Sequence, residues 1–187
     1  MKEAEARAEA KAQLQKQRAI ISGFLYRNSL LKKENLYEHE KYSTVIAFPM
    51  NDEKTVSNIE NAMKAAFEQN RKKLSENSAE ISFADVIKPI REDYDVPNFY
   101  FLRAATTEKP NIVDAQRKPL HLTSEPVSGA KGRISVLFRA SRIENTPRIY
   151  AVLQNTQVIK NENQLEDLNT FTVEDDFADE ISEKESE

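Results

Sequence analysis

The chain has 187 residues, a formal net charge of −4, 31% charged and 39% hydrophobic side chains, 3 Gly, no Trp and no Cys. That size suits one domain with polar extensions, and the missing cysteines exclude a disulfide scaffold, a thiolate metal site and a Cys nucleophile. Two histidines, His39 and His121, are too few for a His-rich metal centre, and no apolar run approaches the roughly 20 residues that a spanning helix needs.

The opening MKEAEARAEA holds acids and no apolar run, so no secretory signal is expected and the chain is placed inside the cell. Residues 1–18 are rich in helix formers but have no apolar stripe. They are expected to form a charged, partly helical arm with five bases (Lys2, Arg7, Lys11, Lys16, Arg18) against three acids. From Ala19 the pattern changes, and AIISGFLYRNSLL reads as a strand with a bulge or bend at Gly23. A polar connection is expected from Lys32 to Glu40. KYSTVIAF then alternates, with Tyr42, Thr44, Ile46 and Phe48 on the core face and Lys41, Ser43, Val45 and Ala47 on the other, until Pro49 ends it.

Asn51 or Asp52 is positioned to cap a helix whose Val56, Ile59, Met63, Phe67 and Leu74 share one face. Such a stripe is core, packed on the sheet. Residues 75–97 mix apolar side chains with Pro89, Pro97 and several acids. They are expected to form an irregular loop around a short packed element. NFYFLRAATT reads as a strand, with Phe99, Phe101, Arg103 and Ala105 on one face and Tyr100, Leu102 and Ala104 on the other. A turn-rich stretch follows. GRISVLFRASRI has an apolar face (Ile134, Val136, Phe138, Ala140) opposite Arg133, Leu137 and Arg139. A turn at Asn145–Pro147 joins it in a hairpin to RIYAVLQNTQVI. Five alternating strands and one long helix inserted after the second suggest a mainly β, small barrel.

After Ile159 the chain turns polar and is not expected to rejoin the core. Residues 161–187 hold eleven acids against Lys184, a net of −10, which leaves residues 1–160 at +6. An acidic tail commonly does no more than aid solubility. On a basic body it can also compete with a polyanion or dock on a partner.

No nucleophile elbow, zincin motif or phosphate-cradling Gly loop is present. The best acidic cluster is Glu92, Asp93 and Asp95, with Asp85 nearby. Such a cluster can hold Mg²⁺ in a nuclease, and it is more often simply solvated. Single-strand binders interleave a basic groove with aromatic platforms. Residues 99–148 fit that pattern, with nine bases against four acids. Arginines outside a barrel strand often serve only solvation, and Tyr42, Phe48, Phe67, Phe138 and Tyr100 belong to core faces.

KYSTVIAFP with the helix behind it, FYFLRAATTEKPNIVDAQRKPL, SGAKGRISVLFRAS, IYAVLQNTQVIK and the VEDDF tail follow one another in an order that resembles bacteriophage single-stranded-DNA-binding proteins with one OB-fold and an acidic C-terminal tail. The resemblance runs over roughly residues 20–177. It implies an OB-fold domain at 19–160 between the arm 1–18 and a tail 161–187. It further implies non-enzymatic, sequence-nonspecific binding of single-stranded DNA in phage replication, recombination or repair, in the host cytoplasm and with no cofactor or membrane.

Arg103, Lys131, Arg133 and Arg139 are then the expected phosphate contacts. Tyr26, with Arg27 beside it, Phe99 and Phe101 are the expected stacking residues, and Lys41 and Lys109 second-rank contacts. Glu174, Asp175, Asp176, Phe177, Asp179 and Glu180 would carry the tail's competition with DNA or its contacts with phage or host replication and recombination proteins. The chain departs from the family in the arm and in ADEISEKESE after Phe177, where no terminal aromatic stands. Oligomeric state is left open, a homo-oligomer included. The rival readings are a phage structural or assembly protein, and a Mg²⁺-dependent nuclease or recombination enzyme using Asp93 and Asp95.

Overall fold

The computed structural model of the chain describes residues 1–75, 81–92 and 96–165. The elements in chain order are α1 (Lys2–Lys16), β1 (Arg18–Leu36), β2 (His39–Pro49), α2 (Glu53–Leu74), a 3-10 turn (Phe83–Asp85), β3 (Ile90–Glu92), β4 (Phe99–Thr106), β5 (Asn111–Val113), β6 (Ala130–Ile143) and β7 (Thr146–Lys160). The sheet runs β3-β4-β2-β1-β6-β7-β5, and a parallel pairing of β4 with β7 closes β1, β2, β4, β7 and β6 into a five-stranded barrel. The short strands β3 and β5 lie outside that ring.

Alternation places the core. Ile21 and Leu25 of β1, Ile46 and Phe48 of β2, Leu102 and Ala104 of β4, Ile134, Val136 and Phe138 of β6 and Leu153 of β7 point inward and are buried. The helix α2 joins this core through Ile59, Ala62, Met63, Ala66, Phe67 and Leu74, the expected stripe. Residues 81–90 contribute the short packed element, with Val86 buried and Ile81, Phe83 and Ile90 against the core. Tyr42 departs from the expected core set. It is half-buried near the hairpin end, where the Lys33 ammonium sits 5.5 Å from its ring centroid.

Asp52, not Asn51, caps α2: its carboxylate accepts from the Thr55 N–H at 3.1 Å and the Thr55 hydroxyl at 2.7 Å. The Thr55 hydroxyl and N–H hold its carboxyl below the usual Asp value. Because the native value is the lower one, the cap's stabilisation is present above the unfolded-state pKa and is lost as pH falls through the native value. Asp52→Ala is expected to cost about 1 kcal/mol in urea unfolding at pH 7 and nearly nothing at strongly acid pH.

Three sequence expectations change. The polar stretch from Lys32 is no loop: β1 and β2 continue as a hairpin, Glu34↔Lys41 through Leu36↔His39, around Tyr37 and Glu38. Both turn residues have positive φ (51° and 67°), as do Glu144 and Asn145 in the β6–β7 turn (51° and 64°), the backbone that matches strand twist in two-residue hairpins. Gly23 is not the bulge. The register breaks between Tyr26 and Ser29, where Arg27 has φ 50°. Gly23 pairs directly with Gly132, and a Cβ on it would lie 2.0 Å from the Ala47 carbonyl oxygen, so glycine there permits a backbone approach. The chain after Ile159 also does not leave at once. Asn161 Oδ1 accepts from the Val127 N–H at 2.8 Å, and the Gln164 N–H donates to the Gly129 carbonyl at 3.0 Å.

The arm is a 15-residue helix that buries no side chain, yet its root is fixed: Gln17 is buried, and its carbonyl accepts from the Phe138 N–H at 2.8 Å. No described helix is long and apolar enough to cross a membrane.

Candidate nucleic-acid interface

The outward positions of β1, β2 and β4 share one face. On β2 they are small, Val45 and Ala47. On the flanking strands they are aromatic: Phe24 and Tyr26 on β1, Phe99 and Phe101 on β4. Strands lie about 4.8 Å apart, so rings on β1 and β4 can meet above a small residue on β2. They do so. Phe24 and Phe99 have centroids 6.0 Å apart, and Tyr26 and Phe101 meet edge-on at 5.1 Å. Val45, Ala47 and Phe101 are buried beneath this cover, with Val96 packed alongside. The result is a second apolar cluster on the outside of the barrel. Phe24, Tyr26 and Phe99 stay half-exposed at its surface.

Strand register extends the face sideways. Arg91 of β3 pairs with Phe101, Phe101 with Ala47, Ala47 with Phe24, and Phe24 with Lys131 of β6. Paired residues point the same way, so the row reads base, aromatic, small, aromatic, base. It crosses four inter-strand gaps, about 19 Å. Arg133 lies two positions beyond Lys131, opposite Ser22, and Lys160 of β7 is the other partner of Lys131. Arg91, Lys131 and Arg133 are exposed. The neighbouring row is Tyr26, Val45, Arg103, with the Arg27 guanidinium 5.6 Å from the Tyr26 centroid.

Of the sequence candidates, the structure thus brings together Tyr26, Arg27, Phe99, Phe101, Arg103, Lys131 and Arg133. Phe101 is buried, so its part is to support the other rings. Arg103 is not free: its Nη1 lies 3.3 Å from Glu34 Oε1, which also accepts a hydrogen bond from the Ser43 hydroxyl. Lys41 is the Cα partner of Glu34 on the hairpin, and Lys109 is exposed in the connection after β4, at the same end. Arg139 points outward from β6 as Lys131 and Arg133 do, but it lies eight residues from Lys131, past the stretch of β6 that pairs with β1, beside Tyr150 on the β6–β7 hairpin.

Arg91 and Glu34 are not found by sequence reasoning; alternation puts Phe24 on one face with Tyr26, though not among the expected contacts. Arg91 was hidden by the prolines and acids around it. Glu34 was hidden because the hairpin read as a connection.

The segment before β6 is clamped to the bulge in β1. Glu125 accepts the N–H groups of Leu30 (2.7 Å), Leu31 (2.8 Å) and Lys32 (3.1 Å), and the Asn28 amide donates to the Pro126 carbonyl at 3.1 Å. Thr44, fully buried, donates to Asn28 Oδ1 at 2.6 Å.

The acidic cluster proposed for Mg²⁺ is only partly visible. Asp93 and Asp95 lie outside the described residues, and Glu92 is exposed on β3. Asp85 is the last residue of the 3-10 turn that Ser82 caps, where hydrogen bonds from the Ser82 hydroxyl and N–H hold its carboxyl below the usual value. Among the described residues no group of three or more His, Cys, Asp or Glu side chains is arranged to hold a metal. The tail residues Glu174, Asp175, Asp176, Phe177, Asp179 and Glu180 also lie outside the described residues.

A closed five-stranded barrel whose ring runs β1-β2-β4-β7-β6, with an aromatic outer face and basic margins, belongs to the OB-fold class, in which this face binds oligonucleotides and oligosaccharides. The family model of the Enterobacter phage Enc34 ssDNA-binding protein matches residues 24–187, and the chain belongs to that family. The solved structure of the C-terminally truncated single-stranded DNA-binding protein of bacteriophage Enc34 superposes with a TM-score of 0.60 at 14% identity, over 78% of this chain and 87% of that one. The same phage protein in complex with ssDNA gives 0.57 at 16%, over 78% and 88%. The gp2.5 single-stranded DNA-binding protein of bacteriophage T7 gives 0.57 at 14%, over 91% and 98%. At these identities the superpositions establish a shared fold. Among curated proteins none matches the chain.

Proposed function

We propose that this protein binds single-stranded DNA with little sequence preference and serves phage DNA replication, recombination or repair without catalysing a reaction. The observation that carries the reading is the row from Arg91 to Lys131, aromatic in the middle and basic at both ends. Bases stack on any π-face, and phosphates are met by Lys and Arg, so neither contact reads sequence. Family membership supports the same reading. Phe24, Tyr26 and Phe99 offer the rings. Arg91, Arg103, Lys131 and Arg133 neutralise phosphates, with Arg27, Lys41 and Lys109 at the hairpin end. Arg139 is assigned no contact with the strand.

The tail fits a competing role. Its first residues are held against residues 127–129, next to Lys131. The 22 residues after Leu165 have a reach of at most about 75 Å, several times the length of the row. Domain limits at 19–160 and 161–187 follow from this division of labour, with residues 161–165 as the anchored root of the tail.

Fluorescently labelled oligo-dT is expected to bind well ahead of duplex of equal length. With four phosphates neutralised, log affinity should fall with log salt at a slope of about −2.8. Equal binding to duplex removes the single-strand reading. Strand cleavage in Mg²⁺ would instead support the nuclease.

A further inference from the structure

The Arg103 guanidinium lies on the aromatic face, yet a carboxylate already holds it. Glu34 is the Cα partner of Lys41 across the hairpin, and its Oε1 takes the Ser43 hydroxyl and lies 3.3 Å from Arg103 Nη1. Three strands converge on this one carboxylate: β1 supplies it, β2 supplies Ser43, and β4 supplies Arg103. Both sides of the Arg103–Glu34 pair keep about a third of their surface exposed (34% and 38%). The pair is therefore open to exchange with a solvent-borne anion. The buried Ser43 hydroxyl needs an acceptor at this position, which a neutral amide oxygen supplies as a carboxylate does.

We propose that Glu34 is a placeholder for a DNA phosphate. Its carboxylate occupies the position beside Arg103 that a backbone phosphate takes in the complex, and it turns away when the strand arrives. A carboxylate and a phosphate offer the same guanidinium the same paired oxygens, so the exchange keeps Arg103 oriented throughout. The cost of displacing Glu34 lowers affinity and speeds release of the strand. Arg103 is then a contact used only after exchange, unlike Arg91, Lys131 and Arg133, which are exposed already. The inference rests on the proposed single-strand binding of this face.

Glu34→Gln in the full chain tests it. The amide oxygen still accepts from Ser43, while the charge on Arg103 is released. Oligo-dT affinity at low salt is expected to rise about fivefold, with the salt slope kept at about −2.8, because Arg103 meets a phosphate in both complexes and only the cost of displacing Glu34 is removed. Arg103→Gln added to Glu34→Gln should abolish the gain. Glu38→Gln, the same charge change at the hairpin turn, should give little of it. Unchanged or weaker binding by Glu34→Gln, with the thermal midpoint retained, overturns the placeholder. So does an equal gain from Glu38→Gln, which would make the effect one of net charge. A fall in midpoint with weaker binding also overturns it, because Glu34 is then structural. A wild-type chain that ignores oligo-dT overturns the functional reading itself.

Discussion

Neutralising the tail is expected to tighten single-strand binding by about tenfold at low salt, an effect that fades as salt rises. The variant keeps the full length and replaces the ten acids from Glu166 to Glu187 by their amides. The effect comes from local concentration. The contacts of Asn161 and Gln164 root the tail beside Lys131, so the acids that follow are tethered within reach of the basic margin. Tethered anions of that number compete with a phosphate strand as a fixed background, and added salt screens tail and DNA alike. Titration of labelled oligo-dT at two salt concentrations reads the effect. Equal affinities of the two proteins at low salt would remove the tail from the binding mechanism and leave it as a solubility or partner segment.

Phe24→Leu combined with Phe99→Leu is expected to weaken oligo-dT binding by about 2 kcal/mol or more, roughly thirtyfold, since each base stack contributes about 1–3 kcal/mol. The two rings face each other above Ala47 and are half-exposed, so they are the stacking surface that Phe101, buried below, is not. Leucine keeps the apolar cover over Val45 and Ala47. The fold should therefore lose little beyond the ring–ring term, about 0.5–1.5 kcal/mol. The salt slope should stay as it was, because no phosphate contact is removed. A shallower slope would mean that the substitution had displaced Lys131 or Arg103. Unchanged affinity would move base stacking to another surface.

Much of this molecule is legible in local patterns. Period-two alternation identified the inner faces of β2, β4 and β6, and period 3.6 identified the buried stripe of α2, because each pattern records one element's own burial. The face of Phe99, Phe101 and Arg103 was visible for the same reason. The hairpin through Lys32 to Glu40 was not. It projects past the barrel and buries little, so it carries no apolar alternation, and its turn uses Tyr37 and Glu38 where Asn-Gly would be the recognisable signal. Arg139 looked equivalent to Arg133 on one strand. Only the pairing of β6, with β1 at one end and with Tyr150 at the other, separates them.

The sequence by itself determined which side chains of β2, β4 and β6 face in and out, that a helix follows the second strand, and that a basic body precedes an acidic segment. Those properties are sums or periods over neighbouring residues. Only the tertiary structure decided that Phe24 meets Phe99 over Ala47, that Arg91 ends the row opened by Lys131, and that Glu34 already holds Arg103. Each of these depends on strand register and barrel closure. Both are set by the packing of the whole chain and leave no trace in any one segment.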